Sequence, residues 1–227
     1  TLLFGERGVL YDRRGEPLAW NVRDSLEAEF SKRRYARHSG VAHLTGYMKY
    51  PSKDKAGFYY QVDFAGLDGV EKYWSEYLSP EHGLRIVETD ALGAVLSESV
   101  LTHPTNGARV TLSVDARIQE KLYRIIETVA RERAFTGGAG VLMDVQSGEL
   151  LSLVSVPEYD SQVLSDGTPS EKIEEFVSDP RKPFLNRVTE GLYTPGSIVK
   201  PFLALAALQE GVIAPETEIV SSGSISL

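Results

Sequence analysis

Two side chains in this sequence have the types and spacing for covalent chemistry. They are Ser197 and Lys200, in the stretch GLYTPGSIVKPFLALAALQEG at 191–211. Positions i and i+3 share one face of a helix. A serine hydroxyl is a weak nucleophile until a neighbouring base takes its proton. A lysine can be that base only if its amine is neutral part of the time, which requires burial or positive neighbours. Lys200 heads the apolar run PFLALAAL, and an ammonium embedded there would lose hydration. Ser197 is expected at the helix start, where free backbone N–H groups and the helix dipole favour a developing oxyanion. Pro195–Gly196 supplies a sharp entry. Pro201 fits only in the first turn, where a missing N–H costs nothing.

The same letters also suit a capped core helix, and about one S-x-x-K match arises by chance in a chain of this Ser and Lys content. A second match, Ser52 to Lys55 in YPSKDKAG, has no apolar helix behind it and reads as a polar loop. His38, His43, His82 and His103 show no i+3 or i+4 pairing, so no metal site is expected. No cofactor is expected either, because TGGAGVLMD runs into a strand without the Lys-Ser/Thr of a phosphate loop. Asp144 and Glu149 flank a turn and are expected to be solvated rather than an acid/base pair. Tyr73, Trp74 and Tyr77 form an aromatic stripe at helical spacing, expected to pack inward, with a partner surface as the alternative.

The chain has 227 residues, 42% hydrophobic and 25% charged, which suffices for one large or two small cores. A formal net charge of −8 and a pI near 5.1 make it a poor partner for nucleic acid. Its one basic cluster, Lys32-Arg33-Arg34 with Arg37, is expected to be a solvated face. The absence of cysteine excludes disulfides, thiol catalysis and thiolate metal sites. No apolar run is long enough to span a membrane.

Positioning the Ser-Lys pair falls to the following expected elements. Gly8–Tyr11 and Pro17–Val22, around the turn DRRG, predict a hairpin. SLEAEFSKRRYARH is a candidate helix and GVAHLTGYMKYP a strand. A helix starts at Asp68 or Gly69, with Val70, Tyr73, Trp74, Tyr77 and Leu78 on one face. Two strands, GLRIVETDALG and VLSESVLTHP, are joined by Asp90 to Gly93, and NGARVTLSVD is a further strand. Asp115 caps a long helix, 116–134, with Ile118, Leu122, Ile125, Ile126, Val129 and Ala130 as its apolar stripe. The stretch AGVLMDVQSGELLSLVSVPEYD predicts two strands about QSGE, both central in a covered sheet. A loop-rich stretch, 161–186, carries one short helix at 170–177, and the apolar helix after Lys200 ends at Gly211. The opening TLLFGERG and the closing IVSSGSISL both read as the inside of a longer protein, the latter as a strand about to form.

YTPGSIVKP resembles the active-serine segment of penicillin-binding proteins, and RGVLYDRRGEPLAWN resembles a stretch of the class B members. Between them HLTGYM, GLDGVEKYWSEYL, VTLSVDARIQ, GAGVLMDVQSGELLSLVSVPEYD and PFLNRVTEGLYTPGS each resemble a family block, in family order. The resemblance covers most of the chain. NRVTEGLYTPGS and PEYDSQVLSDG lean toward the elongation-type subgroup, penicillin-binding protein 2, over the division-type one.

The element order of two strands, a loop and a buried helix suggests an α+β fold with helices packed on an antiparallel sheet, and the resemblance implies the following layout. A β-rich, non-catalytic pedestal of the dimerisation type would occupy 1–110. The first part of a transpeptidase domain, an antiparallel sheet with packed helices, would occupy 111–227. It implies a D,D-transpeptidase that cross-links peptidoglycan stem peptides. Ser197 would take up the penultimate D-Ala of a donor as an acyl-enzyme, and Lys200 would accept the serine proton. β-Lactams would mimic D-Ala-D-Ala and acylate the same serine. The pedestal would contact membrane-embedded proteins of the cell-wall machinery, on the extracytoplasmic (periplasmic) side of the inner membrane. Two departures stand out. Neither S-x-N nor K-[ST]-G follows Lys200, so these 227 residues are expected to be inactive alone. The segment between LAWN and HLTGYM is shorter than the family's pedestal subdomain. The reading from another class is a non-enzymatic pedestal that binds cell-wall assembly partners. A β-lactam sensor or serine β-lactamase relative is a third reading, against which RGVLYDRRGEPLAWN argues.

Overall fold

The computed structural model describes residues 1–25, 27–92, 94–218 and 223. The expected strand in IVSSGSISL, from 219 on and apart from Gly223, and Gly93 of the expected turn lie outside them. Residues Thr1–Gly191 form one compact unit and Leu192–Leu227 a second.

The first unit runs β1 (Leu2–Leu3), β2 (Leu10–Tyr11), β3 (Pro17–Val22), β4 (Lys32–Tyr35), α1 (Ala42–Thr45), β5 (Met48–Lys49), β6 (Ser52–Lys53), β7 (Tyr59–Gln61) and β8 (Ala65–Gly66). It continues with α2 (Gly69–Tyr73), α3 (Ser75–Leu78), β9 (Gly83–Thr89), β10 (Val95–Thr102), β11 (Val110–Thr111), α4 (Ala116–Glu132), β12 (Gly138–Met143), β13 (Leu150–Val156), α5 (Ser161–Asp166) and α6 (Ser170–Ser178). The fold class is α+β, as expected. The expected hairpin is β2–β3, and Asp12 Oδ1 tightens its turn by accepting the N–H groups of Arg14 and Glu16, each at 2.8 Å. With β4 and β11 it forms a four-stranded sheet in the order β11-β2-β3-β4. Leu10, Leu18, Ala19 and Tyr35 of that sheet pack on Val41, Leu78 and Ala116.

Several elements differ from the expectation. The candidate helix in SLEAEFSKRRYARH is instead strand β4, whose residues alternate outward and inward. Arg33 and Tyr35 point inward, so the basic cluster is not a plain solvated face. Arg33 is held by Glu71 (Nε to Oε1, 2.7 Å), which also takes Arg7 (Nε to Oε2, 2.6 Å), and all three side chains are buried. GVAHLTGYMKYP is not one strand. Its first half is the helical turn α1, whose entry is fixed by Glu158: Oε1 accepts the N–H of Gly40 at 2.6 Å and Oε2 that of Ala42 at 2.9 Å. Gly46 closes α1 with φ +74, and a Cβ there would stand 1.8 Å from the carbonyl O of Asp68.

The helix expected from Asp68 onward breaks at Trp74 into α2 and α3. The face turned inward carries Glu71 and Leu78. Tyr73 (83% exposed), Trp74 and Tyr77 (60%) point outward, correcting the expectation that they pack inside. Pairing with two buried guanidinium groups sets which face goes in.

Helix α4 starts as expected. Asp115 Oδ1 accepts the N–H groups of Arg117 (3.0 Å) and Ile118 (3.4 Å), and Asp12 Oδ2 accepts that of Ala116 (3.1 Å). Its buried residues are Ala116, Gln119, Tyr123 and Ala130, whereas Ile125 and Val129 of the expected stripe are about half exposed. Leu122 and Ile126 pack on a core of Tyr123, Val154 and Val156. Strands β12 and β13 pair antiparallel, Gly138 opposite Val156. Among the described residues they form a two-stranded sheet. β13 is mostly buried, but Val141, Leu142 and Met143 of β12 are about half exposed, so both strands are not covered as expected. The stretch 161–186 holds two helices, α5 and α6, in place of one.

The second unit contains a 3-10 turn, Gly196–Val199, followed by α7 (Lys200–Gln209). No helix among the described residues is long and apolar enough to cross a membrane.

Candidate active site

Ser197 sits inside the 3-10 turn, and Lys200 is the first residue of α7. The backbone N–H of Lys200 donates to the carbonyl O of Ser197, which closes the turn. Pro195 enters it in the helical region (φ −69°, ψ −24°), and Gly196 takes a left-handed φ of +56°. Pro201 stands at the helix start, where its missing N–H leaves no acceptor unsatisfied. Ser197 is therefore not an ordinary N-cap. Asp115 and Asp160 perform that role elsewhere, each accepting two backbone N–H groups.

Burial departs from the sequence expectation. The side chains of Ser197 and Lys200 are both exposed, and among the described residues no hydrogen bond joins them. α7 buries none of its residues, with Phe202 and Leu203 among the exposed ones. The amine is not embedded because nothing within the described part of this unit covers the helix. A ten-residue helix apolar on every side needs cover on every side to be stable in water.

The chain that leads to Ser197 is anchored inside the first unit. Ser155 Oγ donates to the carbonyl O of Leu185 and accepts the N–H of Arg187, each at 3.0 Å. The buried guanidinium of Arg187 gathers three carbonyl groups, those of Arg181, Lys182 and Leu185. A buried arginine satisfied by carbonyl oxygens holds an irregular loop that has no ladder of its own.

Three residues that sequence reasoning missed bind the N-terminal half to α4, β13 and the segment after it. Gln119, fully buried, donates to the carbonyls of Gly40 and Leu153 and accepts from Ser152 Oγ (2.9 Å) and Leu153 N–H (2.8 Å). Burial pushes Glu158 up to about 7, against the two backbone N–H groups it accepts. Tyr159, buried, reaches Asp68 and Ala42 with its hydroxyl. None of the three lies on an apolar stripe or in a catalytic spacing. Beside them a cavity of about 670 Å³ is lined by Trp20, Arg34, His38 and Gln162, among others. His38 is raised above its ordinary value by hydrogen bonds to Glu120 and Glu16.

The other candidates resolve simply. Ser52 lies in strand β6 and donates to the carbonyl of Tyr50, so Ser52 and Lys55 share no helix. Asp144 and Glu149 flank the β12–β13 turn, exposed, with Glu149 paired to Arg13 at 3.3 Å.

Comparison with known proteins bears on these residues. Residues 26–112 match the penicillin-binding protein dimerisation domain, and residues 138–225 match the penicillin binding protein transpeptidase domain. The chain is 33% identical over 208 residues to the peptidoglycan D,D-transpeptidase MrdA of Escherichia coli K12, covering 87% of this chain and 32% of the relative. It is 32% identical over 185 residues to the peptidoglycan D,D-transpeptidase FtsI of the same organism, covering 82% and 27%. The chain thus spans about a third of the length of these relatives. A solved structure of Pseudomonas aeruginosa PBP2 in complex with WCK 5153 superposes with a TM-score of 0.74 at 28% identity, covering all of this chain and 45% of that one.

Proposed function

Because the chain belongs to the class B penicillin-binding proteins, a D,D-transpeptidase family, we propose that Ser197 is its acyl-accepting nucleophile and Lys200 the base. Ser197 Oγ attacks the carbonyl carbon of the penultimate D-Ala of a donor stem peptide while Lys200 Nζ takes the hydroxyl proton. The bond to the terminal D-Ala breaks, and that amine leaves with the proton. An amine of a second stem then attacks the ester, forms the cross-link and frees the serine. A β-lactam amide opens on the same oxygen and stays attached.

The turn at 196–199 carries this reading. It puts the hydroxyl and the amine three residues apart at the start of a helix, where backbone N–H groups can meet a developing oxyanion. The apolar surface of α7 supports it as well: covered on all sides, that helix would take Lys200 out of bulk water. We assign residues 1–110 to the pedestal and 111–227 to the first part of the transpeptidase domain. The reaction serves cell elongation on the extracytoplasmic side of the inner membrane. Without S-x-N and K-[ST]-G after Lys200, these 227 residues do not catalyse it alone. The test is release of D-Ala from a D-Ala-D-Ala donor by the full-length protein. Release that disappears in Ser197→Ala is expected, and release that persists in that variant overturns the assignment.

The exposed ring-to-ring ladder of Tyr73, Trp74 and Tyr77, with centroids 5.6 and 5.1 Å apart, favours a second role as a docking module for cell-wall assembly partners. Loss of co-purifying membrane proteins on changing all three to Ser is the expected result. Unchanged co-purification counts against this role.

A further inference from the structure

A cavity of about 310 Å³ lies wholly within the first unit, among α1, α2, β13 and the segment 184–190. Leu44, Val70 and Leu153 give it an apolar wall. Two carboxylates line it, Asp68 and Glu190, and among the described residues no Lys or Arg side chain does. Asp68 stands at the N-cap position of α2, yet its side chain caps nothing there. Its Oδ2 accepts the hydroxyl of Tyr159 at 2.6 Å, and its Oδ1 accepts no hydrogen bond among the described residues. Glu190 is exposed and forms no ion pair among them.

His43 lines the same cavity. It is 4% exposed, and neither ring nitrogen has a hydrogen-bond partner among the described residues. The carbonyls of Pro157 and Pro183 lie near the ring without closing a hydrogen bond to it. Burial holds this imidazole below its ordinary pKa, so it is neutral and one of its nitrogens is an acceptor. Buried polar atoms are almost always paired. An acceptor left bare at a cavity wall therefore marks a place for a donor from outside the chain. Tyr73 and Trp74, 83% and 37% exposed, add ring faces that attract a cation. Among the described residues no three His, Asp or Glu side chains are grouped to hold a metal ion. An organic cation meets all of these features: it brings N–H donors for the carboxylates and the imidazole, charge for the rings and a stem for the apolar wall.

We propose that this cavity binds an organic cation, a guanidinium or ammonium group carried on an alkyl stem. Two sources offer that group: a free amine or guanidine, and the side chain of an Arg or Lys in a polypeptide.

The test titrates the full-length protein with n-butylguanidinium and with n-butylurea, its neutral isostere, and follows saturation-transfer NMR of the alkyl protons. Saturable binding of the cation, tighter than that of the urea by about fivefold or more, is expected. Glu190→Gln changes an exposed side chain, and Asp68→Asn keeps an acceptor for Tyr159. Each should weaken the cation by about two- to fivefold and leave the urea unchanged. Glu171→Gln, at an exposed carboxylate on α6 that does not line the cavity, should change neither. Equal affinity for the two probes, full affinity in Glu190→Gln, or an equal weakening in Glu171→Gln overturns the inference. The same titration with acetyl-Gly-Arg-Gly-amide and its citrulline counterpart separates the sources. An Arg peptide that binds more tightly than n-butylguanidinium assigns the site to a polypeptide side chain, the reverse order assigns it to a free cation, and either order upholds the site.

Discussion

The backbone N–H of Lys200 donates to the carbonyl oxygen of Ser197, so one 3-10 hydrogen bond ties the proposed nucleophile to the residue carrying the proposed base. The turn holds this bond because Gly196 takes φ +56° just before the serine. Among the described residues, its two chain neighbours apart, no atom lies within 4 Å of where a Cβ would stand at 196, so a substitution there meets strain and not a clash.

Gly196→Ala should therefore act on the turn alone. A left-handed φ costs an L-residue roughly 1–2 kcal/mol. If that strain depopulates the turn, acylation of Ser197 slows roughly 5- to 30-fold. Thermal unfolding of the first unit should not move. Stopped-flow acylation beside a melting curve checks both, and an unchanged rate would show that the turn does not hold the serine.

Glu71 is a buried carboxylate shared by two buried arginines. Arg7 also donates to the carbonyls of Phe64 and Glu71 and to Ser75 and Ser79. Removing the shared anion leaves two guanidinium groups buried without it. Glu71→Ala should lower stability by about 3–5 kcal/mol, read as a shift in the urea midpoint. Replacing an exposed pair such as Lys172–Glu175 should cost well under about 1 kcal/mol. A mild effect at Glu71 would mean that the cluster is wetter than its burial indicates.

Glu158 gives stability a pH dependence of known sign. Burial raises its carboxyl to about 7 in the folded protein, with Asp160 and Glu127 adding in the same direction. The folded state then keeps this proton to higher pH than the unfolded chain. The group's contribution is complete below about 4.5 and is lost as pH rises through about 7, a fall on the order of 3 kcal/mol. His38, also raised, adds to the fall with the same sign. In Glu158→Gln the slope between pH 5 and 7.5 should shrink to the part left by His38 and other groups. Denaturant midpoints across that range measure it, and an unchanged slope in the variant would rule out Glu158 as its source.

Local sequence rules were sufficient where an element is stabilised by its own neighbours. The DRRG hairpin, the Asp115 cap and the β12–β13 pair all follow from turn and cap chemistry within a few residues, and the Pro-Gly-Ser-x-x-Lys-Pro spelling places Ser197 within about a turn of a helix start. Local rules failed where a distant partner decides. α1 reads as strand until Glu158 supplies its N-terminal acceptors from more than a hundred residues away. β4 reads as helix until Glu71 takes Arg33 inward. Gln119 lies off the apolar stripe of α4 and is nonetheless fully buried, because four hydrogen bonds to the backbone and Ser152 satisfy its amide. The aromatic stripe has the spacing of a buried face, but ionic pairing of Glu71 turns it outward. The cover that would bury Lys200 is likewise not written in the helix that carries it.

The most direct measurement is the site of covalent attachment. The full-length protein is treated with a fluorescent penicillin and digested, and the labelled peptide is sequenced by mass spectrometry. The account predicts one adduct, on Ser197, absent in Ser197→Ala. An adduct on any other residue, or undiminished labelling of Ser197→Ala, would contradict it.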